Sequence, residues 1–155
     1  MKTLVLGMGN SLASDDAVGI IIAERLQGLI TQNQDITVTT TECGGFAFIE
    51  IMQGFDRAIL IDAIKTGCHK PGTILSFKPE DFDCTIRSAF VHGVSFFQAL
   101  ELGRRMKIKL PNQIEIIAVE IINNTTISDQ LSKEVDSAIE EVIKVIYLKL
   151  GIGSN

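Results

Sequence analysis

Short apolar or β-branched runs alternate along the chain with longer stretches in which apolar residues recur at helical spacing. The runs are typical of strands, and the stripes are typical of helices that pack on a core. Strands are predicted over residues 3–6, 35–41, 57–63, 73–77 and 113–121. Helices are predicted from about residue 15 to 29, over residues 46–52, from Ser95 to about Met106, and after Ser132. The first has its apolar stripe at Val18, Ile21, Ile22, Leu26 and Leu29, and the last at Val135, Ala138, Ile139, Val142 and Ile146. Ser95 and Gln98 have the spacing of a capping box, which is typical of a helix start.

This alternation predicts one α/β domain over residues 1–155, with helices on both faces of a mostly parallel sheet of about five strands. The strand at residues 73–77 follows a Pro-Gly turn, and we place it at an edge of the sheet, where it can run antiparallel. Residues 79–87 are charged and irregular, and we predict a loop there. Ligands of open α/β sheets bind outside the carboxyl ends of the strands, so candidate residues are sought at that edge.

Length and composition narrow the function classes. The chain has 155 residues, of which 46% are hydrophobic and 21% charged, as in an ordinary globular domain. Its formal charge of -5 provides no basic surface for nucleic acid. Apolar runs are too short for a signal segment or a membrane span, so we expect a cytoplasmic protein.

The cysteines do not form a recognisable framework. Cys43, Cys68 and Cys84 are odd in number and lack CxxC spacing, so reduced thiols are expected. Cys43 could be a nucleophile, but a small buried thiol beside the turn is the simpler prediction. His69, beside Cys68, has a weak case as a metal ligand. The GxSxG elbow and the Walker lysine are both missing from the sequence.

Carboxylates and an imidazole fall at the predicted carboxyl ends of the strands. Asp15 and Asp16 follow the first strand, Asp62 ends the third, and His92 precedes a helix. Two carboxylates and one imidazole can hold a divalent transition metal. Acids in a first helical turn also stabilise the helix without any ligand, and one of the first pair fits that simpler role. For Asp62 we favour a functional role, because a carboxylate directly after an apolar run is partly desolvated.

The glycine turn after the first strand allows a second interpretation, a nucleotide site. Gly7 and Gly9 match the first two positions of GxGxxG, but Leu12 stands where the third glycine belongs. Glu42 could contact a ribose, although it lies farther along the chain than that motif requires.

Three segments together resemble the hydrogenase maturation proteases: residues 7–19, which read GMGNSLASDDAVG, then Ile61-Asp62-Ala63, then His92-Gly93-Val94. The resemblance implies a three-layer α/β/α sandwich around a twisted sheet. It further implies a cytosolic endopeptidase that removes the C-terminal extension of the nickel-iron hydrogenase large-subunit precursor after nickel insertion. The family's metal-contacting residues fall on Asp16, Asp62 and His92, which we take as both metal ligands and catalytic residues.

The implied metal is nickel presented by the precursor, and zinc or cadmium could replace it as a surrogate in crystals. Many family members have Glu in place of Asp16, and an Asp-Gly-Gly-Thr-like turn where this chain has Glu42-Cys43-Gly44-Gly45. The two glycines preserve a tight turn and are candidate substrate-binding residues. A self-contained metal-dependent peptidase or amidase and a non-catalytic nucleotide- or metal-binding module are the alternatives.

Overall fold

A five-stranded sheet forms the centre of the protein. The computed structural model describes residues 1–30, 33–82 and 89–153. Within these ranges the strand order is β2-β1-β3-β5-β4. The strands are β1 (Thr3–Met8), β2 (Ile36–Thr41), β3 (Arg57–Ile64), β4 (Ile74–Phe77) and β5 (Gln113–Glu120). All neighbouring pairs are parallel except β4 with β5, so the predicted antiparallel edge strand is confirmed.

Helices cover both faces of the sheet. They are α1 (Val18–Leu29), α2 (Ala47–Met52), α3 (Gly93–Arg105) and α4 (Lys133–Leu150), with 3-10 turns at Ser14–Ala17 and Pro79–Asp81. Successive residues of β1 point to opposite faces: Leu4 and Leu6 pack in the core beneath α2 and α3, and Val5 in the core beneath α1 and α4. The predicted α/β/α sandwich is therefore confirmed. Across the described ranges, no helix is both long and apolar enough to cross a membrane.

Two glycines allow α1 to lie very close to the sheet. A Cβ on Gly19 would lie 2.3 Å from the carbonyl oxygen of Ile61 and 2.4 Å from that of Met8. A Cβ on Gly7 would lie 2.2 Å from the carbonyl oxygen of Gly19. Such distances are impossible for a real side chain, so the backbones touch only because both positions are glycine. This contact brings the start of α1 beside the carboxyl ends of β1 and β3.

Several local predictions were wrong. Asp62 was expected to end its strand and to be only partly desolvated, but β3 continues to Ile64 and pairs with β5 up to that residue, which leaves Asp62 with 0% exposure. The predicted capping box at Ser95 does not start α3, because the helix begins at Gly93 and the Ser95 hydroxyl donates to the carbonyl of His92. Leu29, expected on the apolar stripe of α1, is 59% exposed.

Two of the cysteine predictions can be compared with the structure. Cys43 was expected to be buried, but it is exposed in the turn after β2. Cys68 is a free thiol, and it is exposed in the β3–β4 loop. Cys84 lies outside the described residues, as does most of the loop predicted over residues 79–87. The described part of that loop contains the 3-10 turn Pro79–Asp81.

Candidate metal centre

Asp16 reaches the site from the 3-10 turn between β1 and α1. Its side chain is almost fully buried, with 5% of the residue exposed. Oδ2 lies 3.9 Å from Nε2 of His92, which is too long for a hydrogen bond. Oδ1 is buried and has no hydrogen-bond partner among the described residues. A buried carboxylate oxygen without a donor is energetically costly, and a bound cation would remove that cost.

Asp62 and His92 form a hydrogen-bonded pair. Nδ1 of His92 lies 2.9 Å from Oδ2 and 3.1 Å from Oδ1 of Asp62, and the Ala63 N–H also donates to Oδ1 at 2.8 Å. An ionised carboxylate only accepts hydrogen bonds, so Nδ1 carries the proton. In a neutral imidazole the lone pair is then on Nε2, on the side of Asp16. The pair therefore fixes the orientation and the tautomer of His92, and Asp62 can bind the same ion as Nε2 only after its hydrogen bond to Nδ1 opens.

Burial dominates the electrostatics of the site. It raises the pKa of Asp62 to about 6, although the hydrogen bond from His92 acts in the opposite direction. Burial likewise raises the pKa of Asp16, against the opposing effect of the nearby imidazole. For His92, burial alone would lower the pKa, but the hydrogen bond to Asp62 and the charges of the two carboxylates raise it above its usual value. The site consequently retains protons more strongly than free side chains would.

The three side chains can converge on one ion. One ligand atom from each of Asp16, Asp62 and His92 can be chosen so that all three lie within 4.8 Å of one another. Two carboxylates and an imidazole suit a divalent transition metal and leave further coordination positions for another molecule. The unpaired Oδ1 of Asp16 fits that chemistry. The structure thus brings together the three residues chosen from the sequence, and their roles remain predictions.

Asp15 has a structural role, but it anchors a distant loop instead of stabilising its own helix as the sequence predicted for one of the pair. Its carboxylate is fully buried and faces away from His92, toward the chain that follows β5. There it accepts hydrogen bonds from backbone N–H groups and from the hydroxyl of Ser132. Two adjacent aspartates therefore point in different directions, and only Asp16 belongs to the cluster.

The turn after β2 lies against the helix that His92 precedes. A Cβ on Gly44 would lie 3.2 Å from the Ser95 hydroxyl, a tight contact that a small side-chain shift could relieve, whereas Gly45 has a φ of 61°, a backbone conformation that favours glycine. Contact of these glycines with a substrate stays a prediction. Glu42 accepts a hydrogen bond from the Ser11 N–H at 2.6 Å, and hydrogen bonding to the side chain and then to the backbone of Ser11 lowers the pKa of Glu42.

Other sequence features have structural explanations. Gly7 and Gly9, the start of the possible nucleotide motif, are required by packing, since a Cβ on Gly9 would lie 2.1 Å from the carbonyl oxygen of Asp16. His69 is exposed in the β3–β4 loop and is not part of the three-residue cluster found in the described ranges.

Glu120 is a buried acid that sequence reasoning missed. It is 1% exposed at the end of β5 and accepts hydrogen bonds from the backbone of Thr66 and Gly67 and from the Thr66 hydroxyl. The signal that drew attention to Asp62, a carboxylate at the end of an apolar run, was present here too. At Glu120 the same signal marks a residue that holds a loop.

Comparisons with known proteins identify the family of this chain. The sequence profile of the HycI hydrogenase maturation protease family matches residues 20–149. The hydrogenase 2 maturation protease of Escherichia coli (strain K12) is 31% identical over 81 residues, which cover 52% of this chain. The aligned part of the chain spans about half the length of that curated relative, 49%.

Solved structures share the fold. The hydrogenase maturating endopeptidase HybD from E. coli superposes with a TM-score of 0.81 at 24% identity, over 97% of this chain and 92% of that one. The [NiFe] hydrogenase maturation protease HybD from Thermococcus kodakarensis gives a TM-score of 0.69 at 23% identity, over 97% and 99% of the two chains.

Proposed function

The chain belongs to the hydrogenase maturation protease family, and we propose that it is an endopeptidase that removes the C-terminal extension of a nickel-iron hydrogenase large-subunit precursor after nickel insertion. One observation carries the proposal beyond the family. Three ligand atoms from Asp16, Asp62 and His92 lie within 4.8 Å of one another at the carboxyl ends of the strands. One buried oxygen of this group has no hydrogen-bond donor among the described residues.

In this proposal the nickel ion is part of the substrate. The precursor holds it, and Asp16, Asp62 and His92 complete its coordination from the side of the protease. A precursor without nickel lacks the shared bond and would leave a buried, unpaired carboxylate at the contact. Discrimination of this kind comes from a penalty on the wrong partner as well as from attraction to the right one.

The residues of the chain supply two parts of the chemistry. Asp62 orients His92 through Nδ1 before the ion is bound, and this hydrogen bond opens when Asp62 becomes a ligand of the ion on Nε2. Asp16 and Asp62 lose any bound proton when a cation enters, because only the ionised carboxylate is a good ligand. A nickel ion held in this way can polarise the scissile carbonyl or a water molecule, and water is then added across the peptide bond.

The decisive experiment compares two samples of one substrate. The purified protein is mixed with the large-subunit precursor from the same organism, either loaded with nickel or free of it, and the products are weighed by mass spectrometry. Loss of a C-terminal peptide from the loaded sample alone supports the proposal. A variant with His92→Ala, used as a control, should leave the loaded precursor intact.

Other outcomes contradict parts of the proposal. Equal cleavage of both samples would identify a protease that does not use nickel for recognition, and zinc retained through purification would then indicate a self-contained metallopeptidase. An intact precursor, once its nickel content has been verified, would overturn the proposed cleavage and favour a binding module.

A further inference from the structure

Asp15 is a buried acid that the proposed reaction does not use. Its carboxylate has 0% exposure and holds the chain between β5 and α4 with both oxygens. Oδ2 accepts from the N–H groups of Ile122 at 3.2 Å and Asn123 at 3.1 Å. Oδ1 accepts one hydrogen bond from the N–H of Ser132 at 2.7 Å and another from the Ser132 hydroxyl at 2.9 Å. One side chain thus fixes both ends of the loop over residues 122–132.

The same loop is bonded to the backbone around Asp15. Ser14 N–H donates to the carbonyl of Ser128 at 2.9 Å, and Asp15 N–H donates to that of Asn123 at 3.0 Å. The Ser14 hydroxyl donates to the carbonyl of Gln130 at 2.9 Å. Ala13 and Ser128 form a parallel bridge. These contacts tie the 3-10 turn to the loop at several points.

The turn needs this external support. Ser14 has a φ of 51°, in the left-handed region that is costly for a residue with a side chain. The 3-10 turn also lacks a side-chain capping bond of its own. Contacts with the loop must therefore stabilise the conformation that Ser14 adopts.

Asp16 depends on that conformation more than its partners in the cluster do. Asp62 is fixed by its own hydrogen bonds to His92 and Ala63. In Asp16, in contrast, Oδ1 has no hydrogen-bond partner among the described residues, Oδ2 is 3.9 Å from the imidazole, and the carboxyl otherwise interacts with the backbone of Asn10 in the same turn. The backbone of the turn therefore determines where its carboxylate points.

We infer that Asp15 is a positioning residue for the metal centre: by binding the loop over residues 122–132, it holds the turn that directs Asp16 toward His92. The inference rests on the proposed role of Asp16 as a ligand. Ser132 takes part, because its hydroxyl contacts both oxygens of Asp15. Of the two consecutive aspartates, Asp16 then binds the ion and Asp15 fixes the orientation of Asp16.

The test uses the full chain and zinc ion alone as the probe, with affinity measured by calorimetry. Asp15→Asn keeps the shape of the side chain but places an amide NH2 against backbone N–H donors, in either orientation. Removing a residue that orients a metal ligand typically weakens affinity by about 10- to 100-fold, and we expect a loss in that range. Ser132→Ala should give a smaller loss, and Ser132→Thr, which keeps the hydroxyl, should restore most of the affinity.

Glu120→Gln is the matched control. Glu120 is also a buried acid that accepts backbone N–H groups in a loop, and in the described part of the chain its hydrogen bonds run to Thr66 and Gly67 and not to the cluster. We expect its zinc affinity to stay within about twofold of the unsubstituted chain, even if both variants lose similar thermal stability. Ser132→Ala keeps the test informative if Asp15→Asn fails to fold.

Each result then decides one question. Unchanged zinc affinity in Asp15→Asn, an equal loss in Glu120→Gln, or no zinc binding that depends on His92 in the unsubstituted chain would overturn the inference. With nickel-loaded precursor, a positioning role should raise KM or lower kcat in Asp15→Asn but not in Glu120→Gln. If the unsubstituted chain binds zinc but leaves the precursor intact, the proposed cleavage fails, while the affinity series still tests the role of Asp15.

Discussion

At the amino end of the sheet, the carboxylate of Glu115 lies between two cations, whereas at the carboxyl end two buried carboxylates share one imidazole. Glu115 is 2.9 Å from the guanidinium of Arg57 and 2.6 Å from the ammonium of Lys149. At the other end, within the described part of the chain, neither Asp16 nor Asp62 pairs with lysine or arginine. Strands β3 and β5 therefore carry compensated charge at one end and poorly compensated charge at the other.

The pKa values follow this difference. Burial of Glu115 acts to raise its pKa, but hydrogen bonds from Lys149 and Arg57 outweigh that effect and lower it. For Asp62 burial prevails, and its pKa rises to about 6. Buried carboxylates with raised pKa values and no lysine or arginine partner are typical of functional sites. The contrast therefore supports the candidate site at the carboxyl end of the sheet.

Removing the imidazole should have the largest effect on the carboxyl end. With His92→Ala, the cluster loses one ligand and Asp62 loses its hydrogen-bond partner. We expect cleavage of nickel-loaded precursor to fall at least about 1,000-fold, since removal of one member of a cooperating catalytic group is usually that severe. Mass spectrometry of the product measures the loss. Residual cleavage within about tenfold of normal would remove His92 from the reaction.

Lowering the pH should have the second-largest effect, because it should weaken metal binding at the same site. Because the carboxyls of Asp16 and Asp62 and the imidazole of His92 have raised pKa values, protons compete with a cation up to higher pH than usual. Zinc affinity should rise by at least about 100-fold from pH 5 to pH 7, which corresponds to an average of one displaced proton over the range at about tenfold per proton and pH unit. Calorimetry over this range provides the test, and an affinity independent of pH would contradict the protonation states inferred for the cluster.

Asp62 should reduce stability at neutral pH. Its pKa is 3.8 in the unfolded chain and about 6 in the folded protein, so the native state binds this proton more tightly. The stability that Asp62 contributes is therefore present below about pH 4 and is lost as the pH rises through about 6. Relative to Asp62→Asn, the free energy of unfolding should fall on the order of 2 kcal/mol between those pH values. Urea unfolding of both chains would show it, and parallel pH profiles would contradict it.

The amino end should show the opposite and smaller behaviour. Glu115→Gln leaves Arg57 and Lys149 without their carboxylate, so we expect a loss of about 1 kcal/mol at pH 7 with cleavage unchanged. Because the pKa of Glu115 is lowered, this contribution is present above pH 4.5 and is lost as the pH falls further. The difference between the two chains should therefore disappear in acid. A change in cleavage without a change in stability would contradict the division between the two ends.

Hydrophobic patterning was sufficient for most of the fold. Continuous apolar runs identified β1 and β3, because central parallel strands are buried on both faces. The stripe of α4 was also confirmed, with all five predicted core positions buried: Val135, Ala138, Ile139, Val142 and Ile146. The limits of elements were harder to predict. The burial of Asp62 follows from pairing with β5, which is distant in the sequence.

The sequence predicted which residues meet at the site, but not the roles of the other acids near it. Position along the chain indicated that Asp16, Asp62 and His92 would meet at one edge. It could not distinguish Asp15 from Asp16, because the partners of Asp15 are donated by residues 122–132, more than a hundred positions away. It also could not distinguish Glu120, which holds a loop, from Asp62, since both follow apolar runs at strand ends. Contacts of this kind depend on tertiary structure and leave no local pattern.

The close contact of α1 with the sheet has a consequence for comparing sequences among relatives. Any substitution at Gly19 adds a Cβ that overlaps carbonyl oxygens on two different strands. Selection for folding alone would keep this position unchanged, as strictly as selection for catalysis would keep His92. Invariance therefore cannot rank these two positions, and a list of invariant residues would mix backbone contacts with ligands. Only functional assays on folded variants can separate the two positions. We expect that no substitution at Gly19 gives a folded variant.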